Sequence, residues 1–342
     1  MSTVSFGLKQ ALISLCCVTV ALGLASPSVY AQAGLDPDAG DPAADEAGAD
    51  RPLLEYADGQ TQTWQIGLRL ETRGANCVNI QATFPVPVEW PEQKVRLVDQ
   101  QVDPLVSNWG PRDLAGGVRQ VRVLMDRAPA GSEVALLLTF EIERSRILGP
   151  TPEQAAELRI PKRIDRELRL AMGNSPYIQT TDARIRAVAR EIAAMEAEND
   201  WHRVELAYDW VRDNVTYTEG PIKAADEALR DGTGDCEELT SLFIAICRNL
   251  RVPARMVWIP GHCYPEFYLE DAEGNGHWFP CQVAGTRQFG KMDEYRPVLQ
   301  KGDRFKVPEH SAPQRYVSEF FTCNKLRGNG DPQPVFIREL VE

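Results

Sequence analysis

A single cysteine carries the strongest chemical signal in this sequence. Cys236 follows a glycine-rich segment, residues 232–234, and precedes a stripe of apolar residues at helical spacing (Leu239, Leu242, Phe243 and Ile246). Asp235 can cap this helix, and Glu238, three residues later, can complete a capping box. Cys236 would then lie in the first helical turn, where unpaired backbone N–H groups and the helix dipole stabilise a thiolate. The pattern therefore predicts a nucleophilic thiol.

The acidic residues around Cys236 oppose ionisation of its thiol, so the nucleophile needs a cationic partner. His262 begins a strand-like run, which a turn rich in Asp, Gly and Asn (271–276) separates from a second such run. This order predicts a β-hairpin, and antiparallel pairing brings Gln282 beside His262. An amide oxygen can orient the imidazole. The three side chains then supply a nucleophile, a base and a group that orients the base.

The same motifs resemble the transglutaminase-like superfamily. The sequence Gly-Asp-Cys-Glu-Glu-Leu at 234–239, followed by Val-Pro-Ala-Arg at 252–255, looks like the nucleophile helix and the next strand of that family. Residues 261–264 resemble its Gly-His-Ala-Trp segment, and residues 278–282 resemble its Trp-x-x-x-Asp strand. The resemblance covers about residues 180–285. It implies a papain-like core that performs acyl transfer with a Cys-His-Asp triad.

Carried over to this sequence, the resemblance makes Cys236 the nucleophile and His262 the base. Gln282 stands where the family has Asp. A neutral amide can orient the ring, as Asn does in papain-like proteases, but it cannot stabilise the imidazolium by charge. Tyr217, together with the backbone N–H of Cys236, is a candidate oxyanion donor from its upstream position. Asp293 could supply a carboxylate from a later loop, although its spacing gives no support.

A zinc site is the competing use of the residues in the hairpin. His262, Cys263, His277 and Cys281 are all potential ligands. Adjacent residues of a strand point to opposite faces, however, so 262 and 263 are poorly placed to share one ion. We therefore expect no metal and no cofactor. Cys263 and Cys281 lie on facing strands, and whether they form a disulfide stays open.

The segments that must position these residues fall into two types. Residues 53–165 alternate between apolar and polar side chains, which predicts an antiparallel β domain, most simply a sandwich. One such run has Trp64, Ile66, Leu68 and Leu70 on one face. Residues 166–342 are expected to form the transglutaminase-like domain, with helices that begin near Thr181 and Asp200. The predicted fold class is α+β, a papain-like transglutaminase core preceded by an antiparallel β domain.

The N-terminus predicts export. Residues 1–31 contain Lys9, an apolar run and small residues suited to signal cleavage, and the run is shorter than the ~20 residues of a spanning helix. We expect a secreted or periplasmic protein with no membrane insertion after the signal is removed. Residues 32–52 are rich in Ala, Gly, Pro and acidic residues, which predicts a disordered acidic linker.

Composition limits the partners and completes the functional hypothesis. The net charge of -12 argues against nucleic acid, and a protein or peptide substrate is expected. The hypothesis is an exported cysteine enzyme that acts on amide or acyl bonds through a thioester on Cys236. A protease or amidase is favoured over a crosslinking enzyme because no calcium-binding loop is recognisable. The alternative is a catalytically weak or inactive module that serves as a protein-binding or cell-envelope scaffold.

Overall fold

Alternating apolar residues in the first part of the chain form the two sheets of a β-sandwich. The structure is a computed structural model that describes residues 51–326, 328 and 330–341. The predicted signal peptide, 1–31, and nearly all of the predicted linker, 32–52, lie outside the described residues. The first six strands are β1 (Glu55–Glu71), β2 (Cys77–Val86), β3 (Gln93–Val102), β4 (Asn108–Leu114), β5 (Val118–Ala128) and β6 (Glu133–Leu148).

The sandwich core explains the alternation. The side chains of Trp64, Ile66, Leu68 and Leu70 on β1 are buried, as are those of Val134, Leu136, Leu138, Phe140 and Ile142 on β6. The two strands pair antiparallel with Leu68 opposite Leu136, so both apolar faces point the same way. They pack on the apolar face of β2 and β5 in one core cluster. The predicted antiparallel β domain is confirmed.

Two strands from the far end of the sequence complete this sandwich. They are β14 (Phe320–Lys325) and β15 (Gln333–Leu340), numbered after the strands of the core described next. The sheet orders are β15-β1-β6-β3 and β14-β2-β5-β4, so each late strand forms an edge. The sequence analysis placed both segments in the transglutaminase-like part of the chain. Their pairing is a long-range contact that local alternation does not reveal.

The core that lies between these segments is α+β, as predicted. Its helices are α1 (Pro152–Glu157), a 3₁₀ turn (Leu168–Ala171), α2 (Ala183–Ala194), α3 (Asp200–Asn214), α4 (Ala225–Asp231) and α5 (Cys236–Asn249). Its strands are β7 (Thr216–Tyr217), β8 (Thr233–Gly234), β9 (Ala254–Ile259), β10 (His262–Glu270), β11 (Gly276–Gln282), β12 (Gln288–Phe289) and β13 (Gln300–Lys301). β7 and β8 pair with each other, and the others form one sheet in the order β12-β11-β10-β9-β13.

Helix α5 is the centre of the core, because α2, α3, β9 and β10 all contact it. Two helix starts differ by one residue from the expectation. Asp182, not Thr181, caps α2 by accepting hydrogen bonds from the N–H groups of Arg184 and Ile185. Asn199, not Asp200, caps α3. Each side chain next to the predicted one has the oxygen that a cap requires, so local pattern alone did not decide between them.

A buried ionic cluster joins the sandwich to strand β10. Lys301 Nζ lies 2.6 Å from carboxylate oxygens of both Glu92 and Glu266. Arg144 of β6 donates a hydrogen bond to the Tyr264 hydroxyl at 3.1 Å, and both side chains are fully buried. Tyr264 and Glu266 belong to the same strand as His262, so these contacts fix the strand that carries the predicted base.

Within the described residues, no helix combines the length and the apolar composition that crossing a membrane requires.

Candidate active site

Cys236 is the first residue of α5, as the capping pattern predicted. The Asp235 side chain accepts a hydrogen bond from the N–H of Glu237 at 2.7 Å, and the Glu238 carboxylate accepts one from the N–H of Asp235 at 2.8 Å. The N–H of Glu238 also donates to the Asp235 side chain, at 3.4 Å, which completes the reciprocal capping box. Gly234 permits the close approach, because a Cβ there would lie 2.7 Å from the Cβ of Glu238. The half-buried thiol therefore sits at the positive end of the helix dipole.

His262 begins β10 immediately after Gly261, whose φ of 69° is a left-handed turn conformation. Its Nε2 atom lies 2.9 Å from Oε1 of Gln282. Because an amide oxygen only accepts hydrogen bonds, Nε2 carries the proton. The other ring nitrogen, Nδ1, is left for the thiol of Cys236, with which the imidazole is hydrogen bonded. The structure thus brings the three predicted side chains together.

Gln282 ends β11, and helix α3 holds its backbone. The Tyr208 hydroxyl donates to the carbonyl of Gln282 at 2.8 Å, and Arg212 Nη1 donates to the same carbonyl at 3.1 Å. The β10–β11 ladder pairs Glu266 with Pro280, and extending this register puts residue 282 on the same face as residue 262. Register and helix contacts together aim the amide at the imidazole.

The environment ionises the Cys236 thiol. Its pKa is lowered to about 5, first by a hydrogen bond from the Cys263 thiol and then by His262, against the opposing effect of burial. Burial would lower the pKa of His262, but its hydrogen bonds to Cys236 and Gln282 outweigh burial and raise that pKa. A low thiol pKa beside a raised imidazole pKa favours the thiolate–imidazolium pair.

The geometry of these residues agrees with what comparison of the sequence finds. Residues 186–283 match the family model described as the Transglutaminase-like superfamily. This segment is a transglutaminase-like core. The matched region begins within α2 and extends through α5 and the hairpin, and so includes Cys236, His262 and Gln282. No curated protein matches the sequence.

Structural comparison finds a solved structure with a similar fold. A "putative cysteine protease" from Cytophaga hutchinsonii is 16% identical, with a TM-score of 0.54 over 84% of this chain and 100% of that chain. A "putative protease" from Parabacteroides distasonis is 11% identical, with a TM-score of 0.28 over 66% of this chain and 47% of that chain. The first likeness extends beyond the core, because its coverage includes most of the sandwich.

Cys263 is a contact that the sequence analysis missed. Among the described residues every cysteine is a free thiol, and Cys263 and Cys281 are both buried. Burial and the neighbouring Cys236 raise the pKa of the Cys263 thiol well above its ordinary value. Cys263 therefore stays protonated and can donate its S–H to the thiolate of Cys236. The sequence signal for this contact is that Cys263 is adjacent to His262, although strand alternation predicts that the two side chains point to opposite faces.

An ion pair also borders the transglutaminase-like site on the side of His262. The Glu294 carboxylate accepts hydrogen bonds from the Arg296 side chain at 2.6 and 3.0 Å, and Arg296 Nη1 donates to the carbonyl of Pro260 at 3.0 Å. Burial opposes ionisation of Glu294, but Arg296 and the charge of His262 lower its pKa. Asp293, the candidate carboxylate from this loop, instead lies 3.9 Å from Arg146.

An arginine and two aromatic rings form a cluster beside Glu237, the residue that follows the nucleophile. The Arg315 guanidinium pairs with the Glu237 carboxylate, next to the nucleophile. It lies over the ring of Tyr177 at 5.4 Å and over the ring of Trp258 at 5.3 Å. Tyr177 has a φ of 67°, a strained conformation for a residue with a side chain. Local sequence gave no signal for this cluster, because its residues are far apart along the chain.

Tyr217, the candidate oxyanion donor, ends β7 and is 51% exposed. Burial and then the negative charge of Cys236 raise the pKa of its hydroxyl, which keeps the hydroxyl protonated.

The residues of the alternative zinc site have different contacts. His277 lies 2.8 Å from Asp271 across the hairpin turn. No three His, Cys, Asp or Glu side chains gather into a metal-binding group in the part of the chain that the structure describes.

Proposed function

We propose that this protein is an exported cysteine hydrolase that cleaves amide bonds in peptides or proteins. The observation that carries the proposal is the contact between Cys236, His262 and Gln282, with a thiol whose pKa is lowered to about 5. The transglutaminase-like core supports the class of chemistry. The signal-like N-terminus supports export.

The chemistry follows from the ionised pair. The Cys236 thiolate attacks the substrate carbonyl carbon, and the oxygen becomes an oxyanion. The first N–H groups of a helix lack helical acceptors, so the N–H of Cys236 is available to this oxygen, and the protonated hydroxyl of Tyr217 is the second proposed donor. His262 gives its proton to the leaving nitrogen as the C–N bond breaks, which leaves a thioester on Cys236.

Water completes the reaction. His262, now neutral, accepts a proton from water as the water oxygen attacks the thioester carbonyl. Collapse of the intermediate releases a carboxylic acid and restores the thiolate–imidazolium pair. An amine in place of water would give transfer instead of hydrolysis. We propose hydrolysis as the main outcome.

The test is incubation of the purified protein with a peptide library, followed by mass spectrometry. Cleavage or deamidation should appear with the protein, and should be lost in Cys236→Ser. Cys247→Ser is the control for specificity. It changes a buried cysteine away from the site, so this variant should retain activity. If no product forms while a thiol probe also fails to label Cys236, the scaffold alternative is the better explanation.

A further inference from the structure

A groove with a volume of about 410 Å³ lies at the end of α5 opposite to Cys236. The last residue of α5, Asn249, and the two that follow it line the groove, together with residues of α2 and α3. Since a helix rises 1.5 Å per residue, the 14-residue α5 separates this groove from the thiol by roughly 20 Å. The groove is therefore distinct from the proposed active site.

The lining of the groove is strongly basic in a protein whose net charge is -12. It contains four arginines and one carboxylate, Asp200. The Asp200 carboxylate accepts a hydrogen bond from the N–H of Ile160 at 2.8 Å. Arg203 donates to the carbonyls of Ile192 and Met195, at 2.8 and 2.7 Å, and so closes the end of α2. These two residues have structural roles.

The structure shows no such structural contacts for the other three arginines of the groove. Among the residues that the structure describes, Arg186, Arg190 and Arg251 form no ion pair, no side-chain hydrogen bond and no ring contact. Many exposed arginines elsewhere in this protein have a carboxylate partner, as Arg119 has in Asp113 and Arg287 has in Asp209. Three free guanidinium groups that line one concave surface are thus a local excess of positive charge.

Their placement favours a common ligand. Arg186 and Arg190 are four residues apart on α2, so they project from the same helix face. Arg251 lines the same groove and lies two residues after the end of α5. Its left-handed φ of 66° belongs to the end of α5, where the N–H groups of Arg251 and Val252 donate to the carbonyls of Arg248 and Cys247.

We propose that this surface, the arginine groove (Arg186, Arg190 and Arg251), binds a small polyanion. Guanidinium groups match the oxygen geometry of both phosphate and carboxylate, and can contact them with two parallel hydrogen bonds. The groove has the volume of a small-molecule site. The expected ligand is therefore a compact molecule with two or more oxyanion groups, which are either phosphates or carboxylates.

The test is isothermal titration calorimetry of the full-length protein with pyrophosphate and, separately, with citrate. The groove variant carries Arg186→Gln, Arg190→Gln and Arg251→Gln. The control variant carries Arg69→Gln, Arg122→Gln and Arg127→Gln, exposed arginines of the sandwich, and therefore has the same net charge. All substituted side chains are exposed, so both variants should fold, which circular dichroism and thermal melting check.

We expect at least one of the two anions to bind, and its affinity to fall about tenfold or more in the groove variant but to stay unchanged in the control. Tighter binding of pyrophosphate would identify phosphate as the source of the oxyanions, and tighter binding of citrate would identify carboxylate. The proposal is overturned if neither anion binds at 1 mM, an order-of-magnitude ceiling for a weak specific site. It is also overturned if both variants lose affinity equally, because net charge would then explain the binding.

Discussion

The Nε2 atom of His262 and the Oε1 atom of Gln282 are 2.9 Å apart, and this contact decides which ring nitrogen faces the thiol. An aspartate at position 282 would hold the same tautomer and would add negative charge. The amide of Gln282 holds the tautomer but adds no negative charge. Stabilisation of the charged pair must therefore come from elsewhere, and the structure offers the Cys263 thiol and the helix dipole on the side of Cys236.

The first prediction concerns the pH dependence of thiol reactivity. Because the folded pKa of Cys236 is about 5 against an ordinary 9.0, the thiolate is present above about pH 5. Alkylation of Cys236 by iodoacetamide, followed by mass spectrometry, should reach its plateau near pH 6. In His262→Ala the midpoint should rise by more than about 1 pH unit. A midpoint that does not move would mean that the imidazole does not stabilise the thiolate.

The second prediction isolates the thiol neighbour. Cys263→Ala removes the hydrogen bond that contributes most to the low pKa of Cys236, so the alkylation midpoint should move to higher pH. Cys263→Ser keeps a donor at the same place and should retain most of the effect. Equal shifts in the two variants would indicate that altered packing, and not the hydrogen bond, is responsible.

The third prediction tests the orienting amide. Gln282→Leu leaves the imidazole N–H without its acceptor, which costs about 1–3 kcal/mol, so kcat/KM for a cleaved peptide should fall roughly 5- to 150-fold. Gln282→Glu keeps the acceptor and adds a charge that stabilises the imidazolium. Its activity should therefore extend to higher pH than that of the wild type. A pH profile in Gln282→Glu that matches the wild type would contradict this account.

The fourth prediction concerns Glu294, a positioning residue that acts through His262. Glu294→Gln leaves the positive charge of Arg296 unbalanced near the imidazole, so the pKa of His262 should fall. Arg296→Gln should move that pKa in the opposite direction. NMR titration of the His262 ring measures both shifts. A merely structural role for the pair predicts shifts of the same sign, or none.

The fifth prediction concerns stability. Burial opposes ionisation of Glu266, but Lys301 and Arg255 lower its pKa to about 2 from the ordinary 4.5. A lowered carboxyl pKa contributes stability above about pH 4.5, and this contribution is lost as the pH falls towards 2. Glu266→Gln should therefore reduce the free energy of unfolding by about 3 kcal/mol at pH 7, and by less at pH 3.

Urea denaturation at the two pH values measures this difference. Glu270→Gln is the matched control, because Glu270 lies on the same strand and has no ion-pair partner among the described residues. It should cost less than about 0.5 kcal/mol. If the cost of Glu266→Gln were the same at both pH values, the ionised carboxylate would not be the source of the stability.

Sequence reasoning predicted the parts of the molecule that local pattern determines. The capping box at Asp235, the hairpin that carries His262 and the alternating strands of the sandwich depend on near neighbours, and the structure contains each of them. The contact of His262 with Gln282 was also within reach, because the short turn limits the register of the hairpin.

What local pattern could not predict depends on contacts between distant segments. Arg296 reaches the carbonyl of Pro260, and Arg315 reaches Glu237, across gaps of 36 and 78 residues. The edge strands β14 and β15 join partners that lie more than 200 residues earlier. In each case the sequence shows an ordinary arginine or a short alternating run, and only the folded chain supplies the partner.

The arrangement of the sandwich has a consequence for how the protein is made. Strands β1 and β2 are synthesised more than 200 residues before their outer neighbours β15 and β14. Until then, both sheets present an open edge whose backbone groups can pair with another chain. A chain truncated before β14 would keep both edges open and should therefore be prone to self-association.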